Sequence, residues 1–232
     1  MEKTKNISTK SALLLLINYF IGYNYFYPKL LVMITKQLYP SAKVVPDYLQ
    51  YIFYAAMIII NVVIALPLLK QSLQKIKGNK WNLIKVSFTC YGQLLLVSLV
   101  VSTILFYFTG DVQSNNQVLI EQSFKMNPLK IIFSTLIYAP IVEEIVFRGC
   151  IFAYLRNKHS FKYSAIIASL MFGLVHVMAS IGIGDFSDLI NVIVYATMGF
   201  FMSLAYEKTD SIYGGMAVHL INNAFAVIVM AL

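Results

Sequence analysis

The chain has 232 residues, of which 59% are hydrophobic and only 12% charged, with a mean hydropathy of +0.73. A soluble domain averages about 45–50% apolar and about 25% charged residues, so a water-soluble globule and a disordered chain are excluded. The two cysteines, Cys90 and Cys150, lie inside apolar runs and exclude a disulfide scaffold.

These numbers predict an all-α, polytopic transmembrane bundle. A span needs roughly 20 apolar residues, and seven stretches supply them: 11–34, 48–69, 86–109, 129–154, 163–181, 188–206 and 212–232. The first follows basic residues, as a signal peptide would. It lacks a small-x-small cleavage site and continues through Tyr19, Tyr23, Tyr25 and Tyr27, so a retained helix is expected. Between the stretches fall turn signals such as Lys77-Gly78-Asn79-Lys80, Asn115-Asn116 and Asn127-Pro128. There is no repeat and no low-complexity linker. The reading is one integrated membrane domain, with motif-free helices over 1–127 and a motif-bearing helical core over 128–232.

The net charge of +8 raises the question of a nucleic-acid partner. With a cytoplasmic N-terminus, twelve basic residues fall inside: Lys3, Lys5 and Lys10, the Lys70–Lys85 group of five, Arg156, Lys158, Lys162 and Lys208. Five fall outside (Lys29, Lys36, Lys43, Lys125 and Lys130), beside Asp47, Asp111, Glu121, Asp185 and Asp188. The excess therefore describes orientation and lipid-headgroup contact. The expectation is a multi-pass cell-membrane protein with its N-terminus inside and its C-terminus outside. Nucleic acid is an unnecessary partner.

An ionisable group deep in a bilayer costs at least about 2.5–3.5 kcal/mol, so Glu143, Glu144, Arg148, His176 and His219 each need a reason. Glu144 and Arg148 are four apart with the acid N-terminal, the favourable order for a helical pair. Glu143 lies about 100° around the helix with no cation in register. A desolvated carboxylate beside another suits a general base. The plainer alternative is a buried ion pair plus a protonated glutamate holding helices together. Pro140 should bend or break this helix.

Phe172 and His176 share a helical face, and Gly173 beside them permits close helix contact. His219 and Asn223 also share a face and could hold an oxyanion; taken singly each such motif is better explained by packing or hydrogen bonding between helices, and it is their coincidence in one small bundle that favours a site. A His-Glu-x-x-His zinc motif is absent. The two glutamates and two histidines nonetheless suit zinc, which spacing alone leaves open. Ser134, Ser169 and Ser203 sit in plain helical runs, unlike an activated serine. Gly182-Ile183-Gly184-Asp185 matches an aspartyl-protease pattern but lacks a second membrane-buried aspartate, and reads as a turn.

In order and spacing, Glu143-Glu144-x-x-x-Arg148, Phe172-x-x-x-His176 and His219-x-x-x-Asn223 resemble the signature of the CPBP family. That family contains the CAAX-processing type II prenyl endopeptidases and the bacterial Abi proteins, linked to bacteriocin maturation and self-immunity. The resemblance covers about 128–232. It implies an intramembrane endopeptidase of the glutamate type acting on a peptide or protein substrate. Glu143 and His176 would activate water, and His219 and Asn223 would stabilise the oxyanion. Glu144, Arg148 and Phe172 would support them. Because Arg148 takes Glu144 out of a ligand set, no metal and no cofactor are expected, with a zinc-dependent version left open. A non-catalytic immunity or scaffolding protein using the same cluster is the competing reading.

Overall fold

The computed structural model describes residues 7–110 and 113–232; Lys3, Lys5 and Asp111, counted above, lie outside the described residues. Among the described residues eight helical runs follow one another, and there is no strand. The run α1 covers residues 9–38, with Asn18–Phe26 in wide i→i+5 turns between Thr9–Ile17 and Tyr27–Leu38. Helices α2 (Asp47–Lys77) and α3 (Lys80–Thr109) form a long hairpin, and α4 (Asn115–Met126) is short. The run α5 covers residues 128–158, with wide turns at Ser134–Tyr138 and Ile145–Phe152. Then come α6 (Phe161–Gly182), α7 (residues 187–209, opening with a tight turn at Ser187–Asn191) and α8 (Ile212–Ala231).

Local chemistry explains most of these boundaries. The side chains of Ser8, Asn79, Ser114, Asn127, Ser160 and Ser211 each accept a backbone N–H in the first turn of the helix that follows. Gly110 ends α3 at φ +72°, and Asp210 ends α7 at φ +48°, both left-handed stops. The expected turn at Asn115-Asn116 is instead the first turn of α4, because Ser114 caps it.

Among the described residues five helices are long and apolar enough to cross a membrane: Asp47–Lys77, Lys80–Thr109, Phe161–Gly182, Ser187–Thr209 and Ile212–Ala231. The other two predicted stretches, 11–34 and 129–154, are helical throughout but are divided by their wide turns. Large apolar side chains such as Leu96, Leu99, Phe106 and Ile193 are exposed, as a lipid-facing surface requires. By contrast every residue of Ile145–Phe152 is buried, so α5 runs through the middle of the bundle. Gly173 lets α6 meet α7 closely: a Cβ there would stand 2.5 Å from the Val192 carbonyl oxygen.

The bundle has two chemically different ends. At one, Lys75 pairs with Asp210 at 2.8 Å, Arg156 pairs with Glu207 at 2.8 Å, and Ser211 donates to the Ser72 carbonyl. At the other, Asn127 and Lys130 meet Asp47, and Asn115 donates to Asp185.

Candidate active site

Pro140 does not break α5; it changes its register. Ahead of it the chain widens, and Ala139 N–H bonds the Ser134 carbonyl five residues back. In that register the Thr135 carbonyl would receive the N–H of residue 140, which proline lacks. Asn223 Nδ2 of α8 donates to that oxygen at 2.7 Å instead. The wide turn and its side-chain cap deliver Glu143 and Glu144 to the centre of the bundle.

The two glutamates then diverge. Glu144, fully buried, places Oε1 3.0 Å from Arg148 Nη1 and 3.0 Å from His219 Nδ1. Arg148 is equally buried; its Nη2 donates to the Gly199 carbonyl at 3.1 Å, and its guanidinium lies 4.7 Å from the Phe172 ring centre. The predicted helical pair is thus present, with a histidine from α8 added to it. Gly215 makes room, since a Cβ there would stand 2.5 Å from Glu144 Oε2.

Glu143 faces the other way. Its Oε2 stands 4.0 Å from His176 Nε2 and 4.0 Å from His219 Nε2, and no described residue hydrogen-bonds that buried oxygen. The histidine tautomers follow from their other nitrogens. His176 Nδ1 is 2.8 Å from the Phe172 carbonyl, which can only accept, so Nδ1 carries the proton and a neutral ring presents a lone pair at Nε2. His219 Nδ1 likewise faces Glu144 Oε1 at 3.0 Å, the oxygen that also pairs with Arg148 Nη1. Among the described residues no three His, Cys, Asp or Glu side chains are arranged to hold a metal ion.

All four predicted catalytic residues line one cavity of about 780 Å³. Phe172 lines it too, its ring 4.4 Å from that of His176, whereas Glu144 and Arg148 lie behind the wall. Two further residues were not anticipated. Tyr19 of α1, fully buried, lines the cavity and packs edge-on against Phe147. Tyr195 of α7 stacks on His176, ring centres 4.4 Å apart and planes 24° from parallel. Neither carries a sequence signal, because a tyrosine in an apolar helix reads as packing.

The buried Glu144–Arg148 ion pair, a second carboxylate between two imidazoles and a cavity within a helical bundle define a membrane-embedded polar site. Comparison with known proteins gives the family. Residues 125–225 match the family model for type II CAAX prenyl endopeptidase Rce1-like proteins. The chain is 35% identical over 116 residues to the "Putative membrane peptidase YdiL" of Bacillus subtilis, covering 50% of this chain and 43% of that protein. It is 30% identical over 193 residues to the "Membrane-embedded CAAX protease MroQ" of Staphylococcus aureus, covering 78% of this chain and 72% of that protein. The chain belongs to the Rce1-like CAAX protease family. No solved structure matches it.

Proposed function

We propose that this protein is a multi-pass membrane endopeptidase that hydrolyses a peptide bond with water activated by Glu143. One observation carries the reading: Glu143 Oε2 lies 4.0 Å from the Nε2 atoms of both His176 and His219. That separation is too long for a direct hydrogen bond and short enough for one water oxygen to bond both partners. Water donating to Glu143 and to the Nε2 lone pair of His176 turns its own lone pair toward a substrate carbonyl. Attack transfers a proton to Glu143 and leaves an oxyanion. His219, tied through Nδ1 to Glu144, can donate from Nε2 once both ring nitrogens carry a proton; Asn223 supplies a second N–H. Glu143 then returns its proton to the leaving amine.

The relatives' names support the peptidase class. In this reading neither zinc nor another cofactor takes part, since Glu144 is committed to Arg148 and His219. The bundle spans the membrane seven times, N-terminus inside and C-terminus outside, with α1 and α5 as the additional spans. At 1.5 Å per residue each of those runs reaches about 45 Å. The substrate is a membrane-associated peptide or protein terminus, of the CAAX or bacteriocin-processing kind.

The test is cleavage by purified protein in lipid nanodiscs, read by mass spectrometry on apolar leader-type peptides and a prenylated CAAX peptide. Cleavage by wild type and its loss in Glu143→Ala is the expected result. Equal behaviour of the two proteins would remove the peptidase reading in favour of a scaffolding or immunity role. Activity lost to a chelator and restored by zinc would replace the mechanism with a metal-dependent one.

A further inference from the structure

The cavity does not open evenly toward the two ends of the bundle. Its floor is the cluster of Glu143, Phe172, His176 and His219, and its walls rise in one direction only. From His219 the lining runs along α8 to Met230, eleven residues or about 16 Å at 1.5 Å per residue. Along α6 it runs from Phe172 to Ala179, and along α5 it runs back from Glu143 to Ile131. Asn116, Gln117 and Glu121 of α4 stand at the rim. All of these directions lead to the end where Asp47 meets Asn127 and Asn115 meets Asp185. In the opposite direction the path is closed: Glu144 and every residue of Ile145–Phe152 are buried.

The closed end is also the basic end. Lys75 and Arg156 pair there with Asp210 and Glu207, while Ile7, Leu68 and Ile212 converge on Gly149. The loops joining α2 to α3, α5 to α6 and α7 to α8 are short and gather there, and the helix ends that flank them carry Lys77, Lys80, Arg156, Lys158, Lys162 and Lys208. Short loops rich in lysine and arginine stay on the cytoplasmic side.

We infer that the site is reached from the extracytoplasmic side of the membrane, and that its substrate is an apolar, neutral or cationic peptide segment that has already crossed or lies in the outer leaflet. This rests on the peptidase reading for what enters the cavity; the sidedness does not depend on it. The chemistry of the walls sets the substrate class. Val175, Met178, Phe225, Val229 and Met230 offer apolar surface, and Asn116 and Gln117 offer amides for an extended backbone. The carboxylates of Glu121 and Glu143 favour a neutral or positive chain, and among the described residues no lysine or arginine lines the cavity. The reaction that supplies this substrate is therefore translocation of a precursor peptide, ahead of cleavage.

The experiment is cysteine labelling of the full chain in spheroplasts with a membrane-impermeant maleimide. The native Cys90 and Cys150 are buried and serve as a silent background. Gln117→Cys and Glu121→Cys at the rim, with Val44→Cys in the exposed α1–α2 loop, should label in intact spheroplasts. Lys77→Cys and Lys158→Cys should label only after permeabilisation, with at least a tenfold difference between the two conditions. The reverse pattern, or equal labelling of both sets, overturns the inference. Because labelling does not require turnover, a protein inert toward every peptide would still give the sidedness. Conversely, an active enzyme with the reverse pattern would remove the inference while leaving the peptidase reading intact. For an active enzyme, spheroplasts should cleave an added apolar peptide without permeabilisation.

Discussion

Glu144 and His219, 75 residues apart in sequence, meet at 3.0 Å in the middle of the bundle, and the same carboxylate oxygen holds Arg148 at 3.0 Å. One buried acid therefore fixes the tautomer of a cavity-facing histidine and neutralises a buried guanidinium. Carboxylates that orient a histidine bound to a metal typically change activity 10–100-fold when removed, and the same order is expected for this orienting contact. Glu144→Gln should reduce cleavage by about that range and also lower the melting temperature in detergent, because breaking a buried pair costs about 3–5 kcal/mol. The double variant Glu144→Gln/Arg148→Met, which removes both charges, should melt at or above the single variant while remaining inactive. Stability and activity thus separate the two duties of one side chain.

Tyr195 constrains the second histidine. Its ring stacks on His176, and its hydroxyl is held by Ser114, the cap of α4, at 2.6 Å and by Asn116 in its first turn at 3.1 Å. Tyr195→Phe keeps the stacked surface and loses the tether. Small misplacements of a reacting group are costly, so kcat should fall about three- to tenfold, with KM within about twofold. Tyr195→Leu should fall further, and Ser114→Ala/Asn116→Ala should reproduce the phenylalanine effect. A change confined to KM would instead assign Tyr195 to substrate contact.

The same residues show what a sequence can disclose. Apolar runs of membrane-crossing length are a local signal, so the helices were readable, as were the ionisable groups that have no inexpensive place in a bilayer. Spacing of four paired Glu144 with Arg148 and placed Phe172 beside His176. The partners that lie across the bundle carry no such mark. His219 reaches Glu144 from 75 residues away, and Tyr195 reaches Ser114 across 81. The start of α4 was missed because Asn115-Asn116 reads as a turn until Ser114 is seen to cap it. Pro140 predicts a bend or a break, whereas the wide turn of α5 and the Asn223 amide take up the missing N–H.

That widening makes a measurable coupling between Pro140 and Asn223. Asn223→Ala leaves the Thr135 carbonyl without its 2.7 Å donor, a loss of about 1–3 kcal/mol when the group stays buried. Pro140→Ala restores a backbone N–H that can serve the same oxygen. In a double-mutant cycle the stability cost of Asn223→Ala should be smaller in the Pro140→Ala background, by about 1 kcal/mol. Activity should not recover with it, since the proposed oxyanion N–H is still absent. Equal costs in both backgrounds would mean that the proline does not create the need for the amide.

Asp185, in the loop between α6 and α7, gives the far end a pH dependence. The Ser187 hydroxyl, then the Asn115 amide and the Ser187 N–H, hold its carboxyl below the ordinary value of 3.8. The folded state therefore binds its proton less readily than the unfolded chain. The contribution is present above the ordinary value and is lost as pH falls through the lowered one. Amide exchange at the first turn of α4, corrected for intrinsic rates, should be flat from about pH 7 to pH 5 and rise only in stronger acid. Asp185→Asn should remove that acid-induced change.

Gly215 offers the most economical separation of site from scaffold. A methyl group there would stand 2.5 Å from Glu144 Oε2 and 3.3 Å from the Met202 carbonyl. The first contact is intolerable without movement, and the atom able to move is the end of the carboxylate that orients His219. Gly173→Ala is different, because its methyl would meet the fixed Val192 carbonyl oxygen at 2.5 Å. Overpacking against backbone typically costs about 1–3 kcal/mol, so Gly173→Ala should lower the melting temperature by separating α6 from α7. Gly215→Ala should instead lower cleavage more than it lowers stability, with the His219 imidazole NMR signals displaced as Nδ1 loses its acceptor. If its melting temperature fell as far as that of Gly173→Ala while the His219 signals stayed in place, Gly215 would be a packing glycine, and Glu144 would have room it does not use.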